Sequence, residues 1–224
     1  MTTTSSTRRA RVRRTPALVA TPAKQSWLFM IGSALFAAGM AVSIWGLADI
    51  RVANILCFVG AWFFTAAGLI QVALSGAATT PLESGSGVMA RPAWLAAVIQ
   101  SFGTLMFNVS TSAALTAKTV GTEEKLVWTP DAGGSVAFLV SAVFVFAAYR
   151  QDRGTLWDPR QPAWWSAQLN MAGCLAFGVS AVGAFVLTDG SPLSSSVANW
   201  GTFIGAICFF VASAIVLPRQ QAST

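Results

Sequence analysis

The amino-acid sequence predicts an all-α integral membrane protein: six transmembrane helices forming three parallel helical-hairpin repeats, with both termini on the cytoplasmic side. Three observations predict it. Only 10% of the residues are charged and 54% are hydrophobic, whereas a soluble domain carries roughly a quarter charged residues, so water is the wrong solvent for most of the surface. Six apolar stretches, each close to the ~20 residues that cross a bilayer, use nearly all of the 224 residues. Each stretch also carries one copy of a single pattern: Gly, a small residue next to it, Phe four positions on, and a small residue seven positions on.

The copies are Gly32-Ser33-Phe36-Gly39, Gly60-Ala61-Phe64-Ala67, Gly103-Thr104-Phe107-Ser110, Gly134-Ser135-Phe138-Ser141, Gly173-Cys174-Phe177-Ser180 and Gly205-Ala206-Phe209-Ala212. On an α-helix, positions 0, 4 and 7 fall within about 60° of one another, so each copy makes one stripe. Glycine lets a neighbouring backbone approach, and phenylalanine can fill the hole opposite a neighbour's glycine. Lipid supplies little hydrophobic force between helices, so close packing of this kind must hold them together. Helix packing is the expected role of the stripes, and contact with a ligand is the alternative.

The elements follow in order. Residues 1–26 hold Arg8, Arg9, Arg11, Arg13, Arg14 and Lys24 and no acidic residue, which reads as a disordered basic tail retained in the cytoplasm and able to meet anionic lipid. The following segment is long enough to span and lacks an Ala-x-Ala-like cleavage site, so it reads as a retained anchor. Helix 1 is expected over 27–47 and helix 2 over 52–74, a hairpin (27–74) around the tight turn 48–51. Residues 75–91 have the composition of a flexible connector. The second hairpin (92–149) starts helix 3 at Pro92 and runs it to about residue 115. A polar loop follows over 117–132, with Asp131 placed to cap a short helix 4 over 133–149 and Trp128 and Tyr149 marking its two interfaces. The third hairpin (163–217) has helix 5 over 163–187, a turn at 189–192 and helix 6 over 195–217. Residues 218–224 form a short cytoplasmic tail, and together 27–217 make one transmembrane domain.

Lysine and arginine set the orientation. Eleven of the 14 fall in the tail, the two inter-hairpin connectors and the C-terminus, against Arg51, Lys118 and Lys125 on the other side, and the richer side is cytoplasmic. The net charge of +6 is therefore a topology signal and not a nucleic-acid footprint. A gapless match between the first and third hairpins supports duplication: Val52-Ala53-Asn54 with Phe58, Gly60, Ala61 and Phe64 recurs as Val197-Ala198-Asn199 with Phe203, Gly205, Ala206 and Phe209.

Several chemistries are disfavoured. The chain has no histidine, which removes imidazole metal sites and the usual hydrolytic triads. Cys57, Cys174 and Cys208 lie singly in apolar stretches and read as packing residues. No charged residue falls in the central part of any expected span, where ion-coupled carriers keep theirs. No catalytic residue, metal or cofactor is called for. The polar residues expected deepest are Asn108, Ser110 and Thr111 in helix 3. Within lipid they must find partners inside the bundle, either as interhelical hydrogen bonds or as the lining of a polar cavity.

The segments Trp128 to Ala142, WTPDAGGSVAFLVSA, and Asn199 to Phe210, NWGTFIGAICFF, resemble those of uncharacterised integral membrane proteins from actinobacteria, and the Gly-Ser-x-x-Phe hairpin unit resembles the YrhK-like domain. The resemblance implies a bacterial inner-membrane location and no assigned activity. The functional expectation is a non-enzymatic multi-pass protein, an accessory or scaffold subunit whose helices pack on themselves, as a homo-oligomer, or on a membrane-protein partner. The alternative is a channel or carrier for a small neutral solute.

Overall fold

The computed structural model describes residues 19–81 and 87–217; most of the expected basic tail and all of 218–224 lie outside them. Among the described residues six long helices dominate: α1 Pro22–Trp45, α2 Ile50–Leu74, α3 Pro92–Ala114, α4 Thr129–Arg153, α5 Pro162–Gly183 and α6 Ser195–Ile215. Local chemistry sets their ends. Thr21 caps α1 by accepting from the Lys24 amide at 3.3 Å, and Pro22 occupies the first turn, where a missing N–H costs nothing. Hence α1 starts five residues before Trp27. It stops at Gly46, whose φ of +61° is the left-handed conformation that favours glycine. Asp49 then accepts from the Arg51 amide at 2.7 Å and opens α2. Ser194 caps α6 through the Val197 amide.

The expected loop at 117–132 is mostly helical. Thr119 caps a single turn, Val120–Thr122; a six-residue π-helical stretch, Glu123–Trp128, follows and runs directly into α4. Pro130 does not stop the helix, because its missing N–H falls beside the junction between the wider turns and the α-helix. So α4 has 25 residues and is not the short helix expected over 133–149. Asp131 sits inside its first turn, and its carboxylate accepts none of the amides it was expected to cap.

The connectors differ too. Part of 75–91 pairs into an antiparallel ribbon of β1, Thr79–Pro81, and β2, Val88–Ala90, with Thr80 opposite Met89. The Arg91 guanidinium donates to the Ser75 and Ala77 carbonyls at 3.2 and 3.3 Å, tying the ribbon to the end of α2. Helix α5 ends at Gly183, four residues short of Leu187, because a closed turn takes over. Leu187 donates to Ser191 O and Leu193 to Phe185 O, both at 2.8 Å. In that turn Asp189 accepts from the Ser191 hydroxyl and amide, and these bonds hold its carboxyl below the ordinary range.

Each helix packs on the next in sequence, and α6 packs back on α1, so the six close into a ring. Every neighbouring pair is antiparallel: Gly68 of α2 lies against Ser101 of α3, the Trp128 indole before α4 donates to Ala181 O of α5 at 2.8 Å, and Trp45 of α1 meets Trp200 of α6 at 5.9 Å. The outward faces are apolar. Ile55, Val59, Trp62, Leu69, Phe102, Leu105, Val136, Val143, Leu175, Val179 and Ile204 are all exposed, while Ser33, Thr104, Ser135 and Ser141 are buried. An apolar outer face with the small polar side chains kept within suits lipid as solvent. Five helical segments are long and apolar enough to cross a membrane, by length and composition: α1, α2, α3, Val120–Arg153 and α6. Helix α5 is not among them; Ser166, Gln168 and Asn170 dilute the first half of it.

Candidate functional site: the bundle axis

Within each hairpin the two pattern glycines face each other. A Cβ built on Gly32 would lie 3.0 Å from Gly60 O, one on Gly103 3.1 Å from Gly134 O, and one on Gly173 3.1 Å from Gly205 O. The phenylalanine of each helix covers the glycine of its hairpin partner: Phe64 over Gly32, Phe36 over Gly60, Phe138 over Gly103, Phe107 over Gly134, Phe209 over Gly173 and Phe177 over Gly205, all within 3.0 Å of such a Cβ. Only a residue without Cβ admits a ring at that range.

The glycines thereby push all six rings to the centre of the bundle. Phe36, Phe107 and Phe177, from the odd helices, meet edge to face in a triangle with centroids 6.4, 6.2 and 5.5 Å apart. From the even helices, Phe209 meets Phe64 at 6.3 Å and Phe138 at 5.7 Å. Hairpin partners join the two layers at 5.2, 5.0 and 5.3 Å. Each such pair contributes about 0.5–1.5 kcal/mol beyond simple burial. The result is a plug of six buried rings, one from each helix.

A cavity lies at each end of the plug. Toward the hairpin turns, a volume of about 120 Å³ is bordered by every helix: Phe36 and Met40, Asn54 and Cys57, Ser110 and Thr111, Asp131, Phe177, and Thr202. Toward the inter-hairpin connectors, a larger volume of about 630 Å³ is again bordered by all six, including Gln25, Gln71, Gln100, Tyr149, Asn170 and Ser213. Phe107 and Phe177 border the smaller cavity and Phe209 the larger, so the plug separates them.

The deep polar residues of α3 part company. Asn108 donates through Nδ2 to the Thr65 hydroxyl of α2 and does not border either cavity; its Oδ1 has no partner among the described residues. Ser110 and Thr111 do border the small cavity, and Thr111 also donates back to Phe107 O at 2.7 Å. Asn54 donates to Ala114 O at the end of α3, 3.1 Å away. Thr202 hydrogen-bonds Ser180 at 2.6 Å.

Among the polar residues of the cavity, Thr202 was not singled out by sequence reasoning, and Asp131 was read only as a helix cap. Pro130 was the available signal for Asp131, since a proline in a first helical turn would have put it inside the helix. Among the described residues no group of three or more His, Cys, Asp or Glu comes together to hold a metal. The molecule is thus a closed ring of apolar helices around an aromatic plug with a polar chamber at either end. Compared with known proteins, the chain matches no family model, no curated protein and no solved structure.

Proposed function

We propose that the chain is a six-span inner-membrane protein that admits a small solute to an axial path, which the phenylalanine plug closes. The observation that carries this reading is the pair of cavities on one axis, each bordered by residues of all six helices and divided by the six rings. An accessory or scaffold subunit would work through the outside of the ring; the polar groups here line its inside. Hydrophobic constrictions gate pores by excluding water, and six phenylalanines packed against the six pattern glycines make such a constriction. The three hairpins would then be parallel repeats of one ancestral hairpin, with the basic tail facing anionic lipid on the cytoplasmic side.

The test is solute retention by proteoliposomes. Replacing Phe107 and Phe177 together with Ala should let methylammonium and glycerol leak severalfold faster than from wild-type vesicles while sucrose stays inside. Vesicles holding the folded double variant that retain both small solutes as well as wild type would overturn the reading.

A further inference from the structure

Asp131 is the single charged residue bordering the small cavity. Among the described residues its carboxylate forms no ion pair, the one salt bridge there being Arg153 with Asp152, and it accepts no hydrogen bond. The rings of Phe36, Phe107 and Phe177 and the hydroxyls of Ser110, Thr111 and Thr202 border the same chamber, completed by Asn54, Cys57 and two aliphatic side chains. Asp131 is half-buried, and a carboxylate partly withdrawn from water gains from a partner, because leaving the charge unpaired there is costly.

The surroundings specify which partner. One carboxylate is too little charge for a divalent cation, which takes six or more oxygen ligands. Rings beside a carboxylate favour an organic ammonium, whose charge is attracted to aromatic faces within about 6 Å and whose N–H groups can donate to the carboxylate and the hydroxyls. A volume of about 120 Å³ exceeds by several times what one water needs, roughly 10–15 Å³, and falls well short of the 300–1,000 Å³ of drug-sized sites. We infer that this chamber binds a small primary ammonium cation, of the size of methylammonium, with Asp131 as its counter-ion. The inference deepens the axial-path reading and rests on it, and it changes the expected solute from neutral to cationic.

Binding of radiolabelled methylammonium to the purified full chain in detergent tests it without any flux. Wild type should bind saturably, excess sodium or methanol should fail to displace the label, and Asp131→Asn should weaken binding by at least about tenfold while its thermal unfolding stays close to wild type. Asp131→Glu should retain part of the affinity, and Glu124→Gln, outside the chamber, all of it. Equal affinity in folded Asp131→Asn, displacement by equimolar sodium, or no saturable binding to wild type would each overturn the site. Because binding is read apart from leakage, a plug variant that leaks while wild type binds no methylammonium sinks the site alone, and binding without leakage sinks the path alone.

Discussion

At the scale of single residues, the glycines differ sharply in what surrounds them. A Cβ on Gly173 would lie 2.6 Å from the Phe209 ring, whereas one on Gly178 would meet only a Leu139 methyl at 3.4 Å, and Gly133 has open space. Gly173→Ala should therefore destabilise the protein by about 1–3 kcal/mol through overpacking, while Gly133→Ala and Gly178→Ala should be neutral or raise stability by up to about 1 kcal/mol through helix propensity. Thermal unfolding in detergent of the three variants checks the contrast, and equal effects would refute the contact geometry. Asp189 behaves differently. Its carboxyl is held low by Ser191, so the turn's stabilisation is present above the ordinary carboxylate range and is lost as pH falls through the depressed value. A carboxyl chemical shift that titrates at the ordinary value would contradict the hydrogen bonds.

Elements meet through two kinds of contact. Within hairpins the glycine and phenylalanine stripes interlock; between hairpins α2 and α3 meet through Asn108 and Thr65, and through Asn54 at the end of α3. Interhelical hydrogen bonds in membranes average about 0.6 kcal/mol, so Asn108→Leu should cost little, under about 1.5 kcal/mol. Phe177→Ala, which opens a hole among Phe36, Phe107, Phe138 and Phe209, should cost about 3–5 kcal/mol. Denaturant titration ranks the two, and the reverse order would mean that polar contacts rather than the plug hold the ring. The stretch 120–153 shows where local signals mislead. Two glutamates, a lysine and a proline look like a loop, yet Thr119 starts the helix early, and packing against α3 with the Trp128 hydrogen bond to Ala181 of α5 keeps it going.

For the whole molecule the number of spans fixes the sides on which the termini lie. With six spans both termini share one side; if α5, the helix that falls short in apolarity, failed to cross, the termini would lie on opposite sides. Reporter fusions at each end should both read cytoplasmic, and a split result would refute the six-span arrangement. The ring leaves α5 little freedom, since Ser166 donates to Ala212 O at 2.9 Å and Ser180 to Ala198 O at 2.7 Å, which binds it along its length to α6.

By itself the sequence determined that apolar helices would form, roughly where they lie, and that the same glycine and phenylalanine pair would recur in each, because composition and 3.6-residue periodicity are local properties of the chain. Its reading of Asp131 and of helix 4 was wrong because a cap, a loop and a first turn use the same residue types. Only the tertiary structure decided that six rings from six helices meet on one axis, that Asn108 turns to Thr65 while Ser110 and Thr111 face a chamber, and that Asp131 joins them there. Those outcomes depend on how the helices close into a ring, and ring closure is a contact between α1 and α6, the two most distant helices in the chain.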